Sequence, residues 1–165
     1  MADHRTDQIL DAIVTLLTGL TITGANIERG RVYPWSDDET RALTVDQGEA
    51  LPIGEPDWTY QNVRLEVRIT AHVKAEPDID GGAFTSSFST NFDIGSTYSR
   101  ELNNISKEVY IAMLADRTLG QSFVMDTEWL GNSEPELSGE SERVTASMDT
   151  VFAVTYRHSM TDPSQ

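Results

Sequence analysis

The sequence has no cysteine and few basic residues, and these two shortages exclude several classes of protein. Without cysteine the chain has no disulfide framework, no thiolate metal site and no cysteine nucleophile. Only 12 Lys and Arg residues stand against 27 Asp and Glu residues, for a formal net charge of −15. Binding a duplex from outside requires clusters of Lys and Arg that release counterions from phosphates. The sequence has no such cluster, which argues against a protein that grips nucleic acid.

A long apolar segment is also missing. The longest apolar run near the start, residues 9–20, is interrupted by three polar residues and a glycine, whereas a membrane-spanning helix needs about 20 mostly apolar residues. Asp3 and Asp7 do not suit a secretory leader. We therefore expect an intracellular, soluble protein, and the length of 165 residues fits one domain.

Motifs that carry catalysis or hold cofactors are absent from the sequence. The histidines His4, His72 and His158 have neither HxxxH nor HxH spacing, so they indicate no zinc site. Serine never occurs in a Gly-x-Ser-x-Gly turn, and no glycine loop has the spacing that cradles phosphate. We therefore predict a protein that is not an enzyme and has no cofactor and no metal site.

One enzymatic interpretation remains as a remote alternative. Pro56-Asp57, followed by Glu66 and Arg68, loosely resembles the nuclease pattern of Pro-Asp, an acid and a lysine. In that pattern two carboxylates hold magnesium and the lysine activates water. Arg68 stands at the lysine position and cannot act as a base, and no basic groove is present to hold the substrate. A metal-dependent nuclease is therefore disfavoured.

Hydrophobic periodicity predicts two helices, at residues 4–19 and 99–120. The second is the clearest amphipathic segment of the chain. We expect Asp3 or Thr6 to cap the first helix and Ser99 to cap the second. The polar face of the second helix is expected to be solvated, with a subunit contact as the alternative, and it consists of Asn103, Asn104, Lys107 and Glu108.

Alternation of apolar and polar residues predicts five strands. The longest covers residues 60–74, with an apolar face and a charged face that is open either to solvent or to another subunit. Because this run exceeds the usual strand length, part of it is expected to project beyond the main sheet. The others are predicted at 26–33, with Gly30 as a bulge, at 41–46, and as an antiparallel pair at 123–130 and 143–157. Segregated helices and strands predict an α+β fold, with both helices on one face of a mostly antiparallel sheet.

Several aromatic residues lie outside these alternating patterns. Residues 76–97 are predicted to form a long loop, rich in Gly, Ser and Thr, whose phenylalanines recur every four residues. Long loops are usually functional or disordered, so these rings either fold back on the core or contact a partner. Aromatic residues at turns either pack locally or mark an interface. The interface candidates are Tyr33, Trp35, Trp58, Phe84, Phe88 and Phe92.

Acidic residues concentrate at 36–57 and 126–142, where thirteen acids accompany a single base, Arg41. The simpler interpretation is two solvated loops. The alternative is a surface that repels DNA or meets a basic partner.

The order of these segments resembles the phage tail terminator family, the small ring-forming tail completion proteins of long-tailed phages. The resemblance is carried by an opening helix followed by TGANIERGRVYPW, then RALTVDQGE, VRLEVRITAHV, LNNISKEVYIAMLADRTLG and FAVTYRHSMTDP. It spans nearly the whole chain, which implies a single tail-terminator-like domain at 1–165. The loop at 76–97 and the acidic turn at 132–142 depart from the family pattern.

The resemblance implies a structural virion protein that forms a ring, expected to be hexameric, on the head-proximal end of the tail tube. Such a ring ends tube polymerisation and joins the tail to the head connector. The implied partners are other copies of the chain, the tail tube protein and the head–tail connector or neck protein. DNA passes through only as cargo, no membrane is involved, and assembly occurs in the host cytoplasm before the protein resides in the virion neck. If the acids face the lumen, the negative charge suits DNA passage. The nearest alternatives are another neck or head-completion protein, or a tail-tube subunit.

Overall fold

The structure is a computed structural model that describes residues 4–31, 35–36, 39–55, 57–74, 92–138, 145–162 and 164, with the backbone alone at 92–97. The interface candidates Tyr33, Phe84 and Phe88 lie outside the described residues. So do residues 76–91 of the predicted long loop.

Two helices and six strands form the described fold. The helices are α1 (Arg5–Leu17) and α2 (Phe92–Ala115). The strands are β1 (Ile27–Arg29), β2 (Arg41–Ile53), β3 (Tyr60–Lys74), β4 (Val124–Asn132), β5 (Glu136–Ser138) and β6 (Thr145–Ser159). These elements confirm the predicted α+β class.

All six described strands join one sheet, in the order β1-β2-β3-β6-β4 with β5 also beside β6. Strands β1 and β2 are parallel, and every other described pair is antiparallel. The central pair, β3 and β6, stays in register from Tyr60 opposite Ser159 to Lys74 opposite Thr145. Strands β4 and β5 pair with successive parts of β6, so together they form one edge of the sheet. The antiparallel pairing of the last two predicted strands is therefore confirmed.

The core lies between one face of this sheet and the two helices. Alternation along β3 places every second residue from Val63 to Val73 on the buried face. A hydrogen bond between the Thr6 and Tyr156 hydroxyls, 3.1 Å long, joins α1 to β6 inside the core. The helices add Ile9, Leu10, Ile13 and Leu17 from α1 and Leu102, Ile105, Val109 and Met113 from α2 to the same cluster. Both helices therefore lie on one face, as predicted. The opposite face, which we call the open face, is exposed at Arg64 and Arg68 but buried at Ala42 and Thr44.

The predicted cap of α1 and the predicted start of α2 were wrong. His4 rather than Asp3 or Thr6 caps α1, because its Nδ1 accepts a hydrogen bond from the Thr6 amide at 3.2 Å. Helix α2 already begins at Phe92, so Ser99 lies inside it and Phe92 is not a loop residue. The Gly, Ser and Thr residues between positions 95 and 99 have weak helix propensity, which hid this first part of the helix.

The predicted strand bounds also needed correction. Strand β2 continues to Ile53, beyond the predicted end at residue 46, and β5 lies within the predicted acidic turn. A bulge between Gln47 and Ala50 shifts the alternation of β2 and so concealed its second half. Gly30 adopts a φ of +57° directly after β1 ends, and is not a bulge within a longer strand.

Candidate interaction surfaces

The two tryptophans predicted as interface residues have opposite environments. Trp35 is only 7% exposed, and the Arg31 guanidinium carbon lies 4.0 Å from its ring centroid. The Lys74 ammonium donates a hydrogen bond to the Trp35 carbonyl. Trp35 therefore packs within its own chain, whereas Trp58 is 100% exposed. Phe92 is the first residue of α2, and its side chain is outside the described part of the structure.

Trp58 lies at the turn of a hairpin formed by the second half of β2 and the first half of β3. We call the β2 side and the turn of this hairpin, residues 47–61, the acidic hairpin. Strand β1 pairs with β2 only as far as Val45, so the described structure leaves the edge of this hairpin without a strand partner. Its β2 side is exposed at Gln47 and from Glu49 to Pro52. The second half of β2 therefore lies past β1. Strand β3, however, is paired with β6 along its whole length, so the prediction that part of it projects beyond the sheet was wrong.

The turn of the acidic hairpin is held by backbone hydrogen bonds. The Asp57 amide donates to the Tyr60 carbonyl at 3.1 Å, and the Met160 amide donates to the Thr59 carbonyl at 2.9 Å. The Asp57 side chain also accepts a hydrogen bond from the Trp58 amide at 2.7 Å. These contacts fix the backbone that carries Trp58.

The acidic hairpin combines negative charge with exposed apolar surface. The sequence has no base between Arg41 and Arg64, whereas Glu49, Glu55 and Asp57 are exposed acids on the hairpin. Leu51 is 50% exposed and Trp58 fully so. Burying such a side chain contributes about 1.5–3 kcal/mol, and Trp is enriched among residues that dominate interfaces. This combination favours a binding surface over a solvated turn.

A second exposed surface, of opposite charge, lies on α2. Glu101 turns away from it to bind Arg41 at 3.2 Å, and Glu108 turns away to accept a hydrogen bond from the Ile22 amide at 3.2 Å. Within the described residues, neither Arg100 nor Lys107 has an ion-pair partner. We call the outward residues the basic face of α2: Arg100, Asn103, Asn104, Lys107 and Ile111. All five are exposed, and Ile111 is 57% exposed.

An exposed aromatic pair at the α2–β4 boundary was missed by the sequence reasoning. The Tyr110 and Trp129 rings meet edge to face with centroids 5.6 Å apart, and they are 42% and 46% exposed. Trp129 Nε1 donates to Asn132 Oδ1 at 3.3 Å, and Asn132 Nδ2 donates to the Ser106 hydroxyl at 2.9 Å. Because the pair forms between two separate elements, periodicity within either element could not reveal it.

The open face of the sheet carries charges of both signs. Arg68 lies 3.7 Å from Glu66 and 3.6 Å from Asp149, and Arg64 lies 3.5 Å from Glu128. These contacts neutralise the two arginines locally.

His72 is the titratable group on the open face whose proton affinity is clearly changed. Burial lowers the pKa of His72, although Asp149 and Asp46 act in the opposite direction. Its Nε2 lies 3.2 Å from the Thr44 hydroxyl. Burial therefore favours the neutral form of this ring.

The carboxylates of the nuclease alternative do not converge. Asp57 lies in the hairpin turn, whereas Glu66 is six residues beyond Tyr60 along β3, which corresponds to about 20 Å. Within the described parts of the chain, no group of three or more His, Asp and Glu side chains is placed to hold a metal ion. The pattern seen in the sequence therefore does not become a shared metal site.

An open cleft of about 340 Å³ borders the basic face of α2. It is lined by Thr21, Ile22, Asn104 and the ion-paired Arg41 and Glu101. Because its two charged groups bind each other, the cleft presents no unpaired charge of the kind that orients a small ligand.

No protein-family model matches the chain, and no curated protein is significantly similar to it. In the part of the chain that the structure describes, no helix is long and apolar enough to cross a membrane. The described surfaces define a class: an α+β protein with one open sheet face and two exposed surfaces of opposite charge.

Proposed function

We propose that this chain is a tail terminator subunit that assembles into a ring, expected to be hexameric, on the head-proximal end of a phage tail tube. The ring ends tube polymerisation and joins the tail to the head connector. In this role the partners are other copies of the chain, the tail tube protein and the connector or neck protein. The protein is assembled in the host cytoplasm and resides in the virion neck.

The observation that supports this proposal best is the pair of unlike surfaces on one subunit. The acidic hairpin lies at one end of the β2 edge of the sheet, and the basic face of α2 lies on the helical layer. Contacts between two different surfaces are head to tail, and they close into a ring when the rotation between subunits permits it. A subunit with such surfaces suits cyclic assembly.

The open sheet face supports the passage of DNA as cargo. Phosphates bind proteins through Lys and Arg side chains that are free to release counterions. On this face Arg64 and Arg68 are instead paired with carboxylates, whereas the exposed Arg157 donates a hydrogen bond to Asn62. We infer that this face can line a channel through which DNA slides without adhering, in a protein whose net charge is −15.

The test is the length of tail tubes. Purified tail tube protein is polymerised with and without this chain, and lengths are measured by negative-stain electron microscopy. We expect substoichiometric amounts of the chain to shorten the tubes and stop their growth. Tubes of unchanged length contradict the proposal, and long tubes made of this chain alone identify a tail-tube subunit instead.

A matched pair of variants sharpens the same test. Trp58→Ala removes the exposed ring of the acidic hairpin, whereas Met125→Ala removes a side chain on β4 that is 52% exposed. We expect Trp58→Ala to reduce capping and Met125→Ala to leave it unchanged. Equal effects of the two variants would mean that general surface hydrophobicity, rather than the hairpin, is responsible.

A further inference from the structure

We propose that neighbouring subunits join when the acidic hairpin of one copy docks on the basic face of α2 of the next copy. This inference rests on the proposed ring and names the residues that hold it together. The partner of each surface is thus a second copy of this chain.

Charge complementarity identifies the partner. Two copies that each carry a net charge of −15 repel one another, so a contact between them needs a place where opposite charges meet. Arg100 and Lys107 provide such a place, because the two acids between Arg100 and Ile111, Glu101 and Glu108, contact Arg41 and the Ile22 amide instead. Glu55 and Asp57 provide the complementary charge on the hairpin.

Apolar side chains accompany the charges on both surfaces. Trp58 is fully exposed on the hairpin, and Ile111 is 57% exposed on the basic face. An indole ring also attracts Lys and Arg side chains through its electron-rich face. Docking Trp58 between Lys107 and Ile111 combines this attraction with apolar burial.

The acidic hairpin cannot contact the basic face of α2 within one subunit, for a geometric reason. Helical periodicity puts Ile111 on the side of α2 opposite the buried Leu102 and Ile105, so it points away from the sheet. The acidic hairpin is a continuation of that sheet. The hairpin therefore contacts the outward side of α2 on another copy. Because each copy has one surface of each kind, the same contact repeats from subunit to subunit.

Extension of the sheet from copy to copy is the competing mode of assembly, and the edges oppose it. Strand β4 has register shifts at Val124/Asp126 and Trp129/Gly131. Pro52 lies on the exposed part of β2 and offers no amide donor. Bulges and prolines at edges block strand pairing between molecules, which favours docking through side chains.

Disulfide cross-linking tests the contact, since the chain has no cysteine of its own. Thr59→Cys labels the hairpin and Asn104→Cys labels the basic face, and both positions are exposed. Under mild oxidation, we expect the mixed single variants to form a dimer and the double variant to form a ladder of oligomers. Thr59→Cys paired with Met125→Cys is the control and is expected to stay uncross-linked.

Charge reversal provides a second test that does not depend on cysteine. Glu55→Lys with Asp57→Lys, or Arg100→Glu with Lys107→Glu, is expected to weaken self-association by at least about tenfold. Combining the four substitutions restores the attraction and therefore most of the association. Circular dichroism of each variant confirms that it is folded before association is compared.

Both tests are run on the free chain and on capped tail tubes, so that failures can be distinguished. If the chain caps tubes but the expected cross-link does not form, the proposed contact is wrong and the proposed function is still supported. A chain that neither self-associates nor caps tubes overturns both. Cross-linking of Thr59→Cys to the tail tube protein alone also overturns the contact.

Discussion

Replacing each of two tryptophans by alanine separates folding from assembly. Trp35 is 7% exposed and stacked against Arg31, whereas Trp58 is 100% exposed. Burial of a Trp side chain removes about 150–250 Å² from water, which corresponds to about 4–6 kcal/mol at about 25 cal/mol per Å². Replacement of a buried Trp by Ala typically costs about 3–5 kcal/mol of unfolding free energy, and we expect a loss in this range for Trp35→Ala. Trp58→Ala is expected to change it by less than about 0.5 kcal/mol.

Urea and thermal unfolding followed by circular dichroism measure this difference. For a chain of this length a loss of 1 kcal/mol lowers Tm by about 2–4 °C, so Trp35→Ala should lower it by roughly 6–20 °C. In the tube-capping assay we expect the larger loss of capping for Trp58→Ala, although this variant is the less destabilised of the two. A loss of more than about 1 kcal/mol in Trp58→Ala would refute the assignment of the hairpin to assembly.

Three further expectations concern the folded subunit. Phe152→Ala, at a fully buried position of β6, should reduce the urea-unfolding free energy by about 3–5 kcal/mol. Gly120→Ala should cost about 1 kcal/mol by the same assay, because Gly120 has a φ of +68° and a new Cβ meets nothing within 4 Å. Burial lowers the pKa of His72 below its ordinary 6.5, so the unfolded chain binds more protons and stability should fall as pH drops below about 6.5. His72→Gln should lose that part of the pH dependence, and unchanged behaviour of this variant would contradict the burial effect.

The central strand pair was predictable from sequence, whereas the hairpin beside it was only partly so. Alternation persists without interruption from Tyr60 to Lys74, and β3 has those bounds. In β2, a Cβ at Gly48 would lie 2.9 Å from the Cβ of Glu66, so glycine permits a close approach of two strands next to the bulge. A shift of one residue reverses the alternation, which is why the second half of β2 was hidden.

The candidate surfaces were also only partly predictable, because some of their features depend on local sequence and others on contacts between distant residues. Trp58 was predicted as an interface residue because it has no place in an alternating core, and the structure leaves it exposed. The burial of Trp35 depends on contacts with Arg31 and with the distant Lys74. The basic face of α2 emerges only when Glu101 and Glu108 are seen to bind Arg41 and the Ile22 amide. Such pairings cannot be inferred from spacing along the chain.

Cryo-electron microscopy of tail tubes assembled with this chain measures the proposed role most directly. We expect one additional ring at a single end of each tube, with the acidic hairpin of each subunit against α2 of its neighbour. Subunits of this chain distributed along the whole tube, or tubes without an added ring at either end, would contradict the proposed role as a tail terminator.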